Sequence, residues 1–419
     1  MDGYRKGGYH AVRIGDHFGN GRYVVQKKLG WGQFSTVWLA YDTQFQRFVG
    51  LKIQKSAAEF SQSAMNEIEF LSAISKSDPS ASGTKSDNCV IQLLDHFKHV
   101  GPNGQHICIV MEVLGDSLLR LIRYRNYKGI GLNQVKEICR SILTGLDYLH
   151  TDIGVIHTDL KLENLLLVST INPANDPIRS GFAPILQRPN NDENQNKITS
   201  SITNLVERKL MLRARRAKAS LAAAANGTSP SMEEEARSLE GIDLRCKIAD
   251  FGNACWANRR LMDEIQTREY RAPEVILASG YSFSADMWSF ACIAFELATG
   301  HTLFAPKPGQ GYSEDEDHLA LMIELLGRIP KKIAVGGARS KDLFDRHGDL
   351  KRIRRLKNWP IDRMLIEKYK FSTSDAQDLS EFLRPLLNFS PEKRPTAAQT
   401  LQNDWLQNST RDKDANLKK

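Results

Sequence analysis

The chain has 419 residues, of which 41% are hydrophobic and 25% charged, values that permit a sizeable core and exclude wholesale disorder. Its net charge of +8 at pH 7 is modest for this length and reads as a solvated surface, which excludes nothing but gives no footprint of nucleic acid or membrane. Six cysteines (Cys89, Cys108, Cys139, Cys246, Cys255 and Cys292) show no C-x-x-C pair or zinc spacing, and the polar start Met1 to Lys6 has no apolar run behind it. The expectation is a soluble, intracellular protein with reduced thiols, built as one two-lobed body with an extra segment.

A Gly- and Tyr-rich extension over 1–22 precedes two β-favouring runs, Tyr23 to Leu29 and Thr36 to Tyr41, set around a glycine-bearing turn. A third run follows at Phe48 to Ile53. Ala57 to Ser75 carries Phe60, Ala64, Ile68 and Leu71 at helical spacing, and Asp78 to Asn88 reads as a loop. Glu112 to Gly115 is the candidate hinge. From Gln134 the pattern turns helical, with Val135, Ile138, Ile142, Leu146 and Leu149 three or four residues apart. Between 169 and 240 the composition shifts to Asn, Pro, Ser and Ala with charge runs, which reads as an insert, partly disordered, with a basic helix between Asn204 and Asn226-Gly227. The predicted class is α+β and bilobal: a small antiparallel sheet with one main helix over 23–114, then a larger helical lobe over 115–168 and 241–407, split by the insert, and a tail over 408–419.

Gly30-Trp31-Gly32-Gln33-Phe34-Ser35-Thr36-Val37 lies between two predicted strands, where glycines let backbone amides approach phosphates. Read alone, it is a weak signal and reads first as a flexible hairpin. Lys52 sits among apolar residues of the third strand, where an unpaired ammonium is costly, so it needs an anionic partner. Glu67, fifteen residues on, has the inward helical phase; Glu69 is the alternative, and an exposed surface charge is the plain reading of either. In His157-Thr158-Asp159-Leu160-Lys161-Leu162-Glu163-Asn164, Asp159 can accept a proton, Lys161 can neutralise a phosphoryl group and Asn164 can ligate magnesium. Asp250-Phe251-Gly252 adds a carboxylate suited to hard Mg²⁺, and Ala272-Pro273-Glu274 follows.

These motifs, in this order, resemble those of the protein kinase superfamily from Tyr23 to Leu406. The resemblance implies a bilobal kinase fold using ATP and Mg²⁺. The nucleotide would meet Leu29, Gly30, Trp31, Gly32, Gln33, Phe34, Ser35, Val37, Lys52, Glu67, Met111, Glu112 and Leu114, and the metal Asn164 and Asp250. Asp159 and Lys161 would act on the transferred group. Asp286 would brace the catalytic loop, and Arg394 would pair with Glu274.

Within that superfamily, Leu29 to Trp38, His157-Thr158-Asp159, Asp250 to Trp256, Ile265-Gln266-Thr267-Arg268 and Asp315-Glu316-Asp317-His318 look like the SR-protein kinases. That resemblance implies Arg-Ser-rich splicing factors as substrates, regulation of mRNA splicing, and residence in cytoplasm and nucleus. Asp317, Glu324 and Lys368 match an acidic docking groove, and Arg268 and Arg271 a basic pocket. The acids at 314–317 and 324 give independent support for an Arg-rich substrate, although a solvated acidic loop is equally compatible. Thr158 stands where many kinases carry an arginine for a phosphorylated activation loop, so activity without that modification is expected. Gly50, Leu162, His301 and Glu314 depart from the usual pattern, and the last two argue against tight docking and processive phosphorylation. A monomer with no nucleic-acid or membrane partner is the default. The competing readings are a catalytically weak pseudokinase scaffold and an RNA-binding protein.

Overall fold

β-Branched and aromatic residues in the first quarter of the chain build one six-stranded antiparallel sheet. Its strands are β1 (His17–Phe18), β2 (Tyr23–Trp31), β3 (Ser35–Asp42), β4 (Arg47–Gln54), β5 (Leu93–Gly101) and β6 (Gly104–Met111), in the spatial order β1-β2-β3-β4-β6-β5. The structure, a computed structural model, describes residues 3–76, 88–173, 176, 178, 180–189, 238–259 and 264–407.

Alternation along the strands gives the sheet two apolar faces. Phe18, Tyr23, Val25, Trp38, Val49, Leu51 and Ile53 form a cluster on one. Ile107, Ile109 and Met111 join the main core, where helix α1 (Ala58–Lys76) inserts Ala64, Ile68, Leu71 and Ile74. Three strands were expected in this lobe, and the structure adds β1, β5 and β6. The edge strand β5 reads Leu-Leu-Asp-His-Phe-Lys-His-Val-Gly and is nowhere fully buried, so its sequence lacks a clean alternation.

The second lobe is helical. Its elements are α2 (Leu118–Tyr124), α3 (Leu132–Asp147), α4 (Pro273–Ile276), α5 (Ser284–Thr299), α6 (Glu314–Leu326), α7 (Lys331–Ala334), α8 (Ser340–Leu343), α9 (Ile361–Glu367), α10 (Thr373–Leu386), α11 (Ala397–Leu401) and α12 (Asp404–Gln407). Every residue of α5 from Ala285 to Thr299 is buried, which makes it the central helix and explains its all-round apolar sequence. Two short antiparallel ribbons frame the cleft between the lobes: β7 (Val155–Ile156) pairs with β10 (Cys255–Trp256), and β8 (Leu165–Leu167) with β9 (Cys246–Ile248).

The start of the insert does not stand apart from the body. Gln26 on β2 acts as a surrogate strand edge: its Nε2 donates to the Ile185 carbonyl at 2.8 Å and its Oε1 accepts from the Ile185 N–H at 2.7 Å. Arg188 Nε donates to Asp16 at 2.7 Å, and Phe182 meets Phe48. The loop over 78–87, the basic helix expected between Asn204 and Asn226, and the tail over 408–419 lie outside the described residues. None of the six cysteines is in a disulfide, and five of them are buried. Among the described residues, no helix is long and apolar enough to cross a membrane.

Candidate active site

The ammonium of Lys52 is delivered by β4 to the floor of the first lobe, where it is 8% exposed. It donates to both oxygens of Glu67, at 2.7 and 2.8 Å, and to Asp250 Oδ1 at 3.0 Å. Glu67 is there because α1 turns the same face inward that carries Ala64, Ile68 and Leu71. Glu69 points elsewhere and accepts from Trp256 Nε1 at 3.0 Å. Burial alone would lower the Lys52 pKa, but Asp250 and Glu67 outweigh it and raise it above the ordinary lysine value. Lys52 in turn holds the Asp250 carboxyl below the usual range. Asp250 adopts a left-handed backbone, φ 67°, and its side chain is half exposed in the cleft.

The loop between β7 and β8 is fixed from below by Asp286, at the start of α5. Its fully buried carboxylate accepts from the His157 N–H at 2.8 Å, the Thr158 N–H at 3.0 Å and His150 Nε2 at 2.9 Å. Burial would raise the Asp286 pKa, but these donors bring it below the ordinary value. Thr158 is thereby held at φ 65°, an unfavourable region for a β-branched residue. Its hydroxyl donates to the Asn253 carbonyl at 2.6 Å. His157 donates from Nε2 to the Ala249 carbonyl at 3.1 Å and accepts the Asp159 N–H on Nδ1 at 3.3 Å, which defines its tautomer.

Asp159 is where the segments converge. Oδ1 accepts from Thr267 Oγ1 at 2.7 Å, and Oδ2 from Lys161 Nζ at 2.7 Å and Asn253 Nδ2 at 3.3 Å. Asn164 donates its Nδ2 to the Asp159 carbonyl at 2.9 Å, so its amide oxygen is the atom left to face the cleft. The Asn164 carbonyl accepts from the Ala249 N–H at 2.9 Å, which seats Asn164 beside Asp250. Asn164 Oδ1 and an Asp250 oxygen could hold Mg²⁺ there if phosphates and water supplied the remaining ligands. No cluster of three His, Cys, Asp or Glu side chains able to hold a metal occurs among the described residues.

The turn between β2 and β3 carries Trp31, 76% exposed, with Leu29 and Phe34 also exposed, while Ser35 is buried and Val37 is half-buried opposite Lys52 on β4. On the hinge side, Gly50 pairs with Met111, and a Cβ at Gly50 would meet the Glu112 carbonyl at 3.5 Å, an ordinary contact. The position is roomier than an alanine would leave it. Glu112 turns its carboxylate to Lys247 Nζ, at 3.0 and 3.2 Å, and the Gln92 N–H at 3.0 Å, fastening hinge to β9. Leu114 packs on the main core. At Gly115 a Cβ would lie 1.9 Å from the Ser169 carbonyl, so only glycine fits the close passage of the two segments.

Glu274 and Arg394 form a bidentate pair at 2.6 and 2.7 Å, both side chains almost fully buried. The acidic run 314–317 occupies the first turn of α6, where carboxylates complement the helix dipole and Ser313 caps the Glu316 N–H. Asp315 is engaged by Arg268 and Arg339, and Glu316 by Arg352. Two of the five acids are therefore neutralised internally. Arg268 also meets Glu314 at 3.4 Å, and Arg271 is buried against the Gln266 carbonyl and Glu264, so this pair of arginines is already paired with acids or carbonyls. Asp317 and Glu324, on one face of α6, accept the Lys307 and Lys357 N–H groups. Lys368 lies over Tyr369, which also meets His301.

Sequence reasoning missed Lys247, Asn253, Thr267, Gln266 and His150. Asn253, Gln266 and Thr267 lie within the motifs already singled out, so their closeness to Asp250 and Arg268 is an available signal; Lys247 and His150 carry none.

The pattern of Protein kinase domain matches residues 23–179 and 238–406. The chain is 44% identical to Serine/threonine-protein kinase SRPK of Physarum polycephalum, over 96% of this chain and 90% of that protein. It is 40% identical to Protein kinase dsk1 of Schizosaccharomyces pombe, over 96% and 84% respectively. With SRSF protein kinase 3 of Homo sapiens the identity is 37%, over 96% and 89%.

Proposed function

The chain belongs to the protein kinase family, within it to the SR-protein kinases, and from this membership we propose that it transfers the γ-phosphate of ATP to serines in Arg-Ser-rich splicing factors. It is a protein serine/threonine kinase. The observation that carries the catalytic reading is the convergence of Lys161, Asn253 and Thr267, from three separate segments, on the Asp159 carboxylate.

In this reading Asp159 orients the substrate serine and accepts its hydroxyl proton as the oxygen bonds to the γ-phosphorus and the bond to ADP breaks. Lys161 compensates the charge on the transferred group, and Lys52, held by Glu67, aligns the α- and β-phosphates. Asn164 Oδ1 and Asp250 would hold Mg²⁺, which when bound neutralises phosphate charge. The glycine-rich turn and residues 111–114 would enclose the nucleotide.

Asp317, Glu324 and Lys368 are proposed to receive the arginine-rich flank of the substrate. With Asp315 and Glu316 consumed internally and His301 beside Tyr369, this surface carries less free acid than the sequence suggests, in keeping with weaker docking. A monomer acting in cytoplasm and nucleus, without a direct nucleic-acid or membrane partner, belongs to the same reading.

We further propose activity without activation-loop phosphorylation. Gln266 donates to the Ala285 carbonyl and Ser289 Oγ, both at 2.8 Å, and accepts the Ala272 N–H at 2.9 Å, so a neutral amide holds the segment where a phosphate and an arginine would otherwise be needed. Phosphatase treatment of the purified protein is expected to leave the rate unchanged. Loss of activity that returned on rephosphorylation of residues 250–274 would reject this.

The test of substrate class is magnesium-dependent transfer of labelled phosphate to an Arg-Ser repeat peptide, beside a serine peptide in acidic context. Selective labelling of the first is expected. Labelling of the acidic peptide alone would remove the substrate assignment, and no transfer to either would favour a scaffold.

A further inference from the structure

The N-terminal segment 3–10 is used as a clamp on the first lobe. Gly7 and Gly8 accept the N–H groups of Ala57 and Ser56 at 3.0 and 3.2 Å, where β4 passes into α1. Gly7 donates to the Asn103 carbonyl at 3.0 Å, and Asn103 Nδ2 returns a bond to the Tyr9 carbonyl at 2.7 Å, adding the β5–β6 turn. The segment turns so tightly that a Cβ at Gly8 would lie 2.1 Å from the Gly3 carbonyl, which accounts for a glycine there.

The clamp ends on the tip of the glycine-rich turn. Tyr9 OH lies 2.6 Å from the Gly32 carbonyl and 3.4 Å from that of Gln33, while the next carbonyl, of Phe34, accepts the Lys55 N–H at 2.9 Å. Lys55 Nζ sits 4.5 Å from the centre of the Tyr9 ring and holds it in place. A trans peptide is planar with its N–H opposite its C=O, so drawing these carbonyls toward Tyr9 turns the Gln33 and Phe34 N–H groups away from it. Neither N–H has a partner among the described residues. An unpartnered pair of amides in a fixed direction is what an anionic phosphate requires.

We propose that Tyr9 is a positioning residue for nucleotide: its hydroxyl holds the glycine-rich turn so that the Gln33 and Phe34 amides stay aimed at the phosphates and ADP leaves slowly. This rests on the kinase reading above. Among the described residues the Tyr9 hydroxyl reaches only the Gly32 and Gln33 carbonyls of the glycine-rich turn, so its effect is expected on the nucleotide side of the reaction. A structural role in the lobe would instead affect stability and both substrates together.

The experiment uses the full chain and compares wild type with Tyr9→Phe, which keeps the ring and its contact with Lys55. Release of a fluorescent ADP analogue is followed by stopped flow, with steady-state KM for ATP and for an Arg-Ser peptide, and the melting temperature. Loss of one exposed hydrogen bond is expected to speed ADP release and raise the ATP KM by about threefold. Peptide KM and melting temperature should not change. Unchanged ADP release in an active enzyme overturns the inference alone, as does a parallel change in peptide KM and melting temperature. A wild type that neither binds the ADP analogue nor transfers phosphate overturns the kinase reading and this inference with it.

Discussion

Replacing Asp159 with asparagine is expected to lower the rate of phosphate transfer by about 10²- to 10⁴-fold, the span of a positioned general base. The substitution is nearly isosteric. Thr267 can still donate to the remaining oxygen, and the Asp159 carbonyl that receives Asn164 is backbone and unaffected. What is lost is the anionic oxygen that accepts from Lys161 and, at the longer distance of 3.3 Å, from Asn253; the Lys161 ammonium is partly exposed and can be hydrated instead. Melting temperature and ATP affinity should therefore stay close to wild type while kcat falls. A variant retaining near wild-type turnover would show that Asp159 is not the proton acceptor.

The largest loss of stability is expected at Arg394. Arg394→Met leaves Glu274 buried without its cation, and breaking a buried pair from one side costs about 3–5 kcal/mol. The guanidinium also donates to the Asn388 carbonyl at 2.8 Å and the Ser284 carbonyl at 2.9 Å, and it lies over the buried ring of Trp288. It thus ties the segment before α11 to α4, to the turn after α10 and to the start of α5. The same helix start carries Asp286, which holds the catalytic loop, so activity should decline in the temperature range where this contact opens. Urea midpoints of Arg394→Met, Glu274→Leu and the double variant are the measurement. The double variant should be much less destabilised than the sum of the singles, since the uncompensated charge is gone. Additive losses would mean that the pair itself contributes little and that packing carries the position.

The internal neutralisation of α6 changes how its acids are understood. Four successive carboxylates looked like a surface for arginine. In the fold, the helix needs acid in its first turn, and Asp315 and Glu316 are used to bind Arg268, Arg339 and Arg352. Only Glu314, Asp317 and Glu324 remain for an incoming cation, and Glu314 is shared with Arg268.

The sequence by itself determined the two-lobed class and the order of the motifs, and it singled out Lys52, Glu67, Asp159, Asn164 and Asp250, which the fold brings to one cleft. These are legible because each rests on short-range geometry: the phase of a helix chose Glu67 over Glu69, and five-residue spacing in one turn joined Asp159 to Asn164. Tertiary structure decided which groups meet across long separations. Lys247 at Glu112, Thr267 at Asp159, Gln26 at Ile185 and Tyr9 at Gly32 are all polar contacts between distant segments. A hydrogen-bonding side chain has the same composition whether it faces water or a partner, and only packing of the surrounding apolar faces brings that partner within 3 Å.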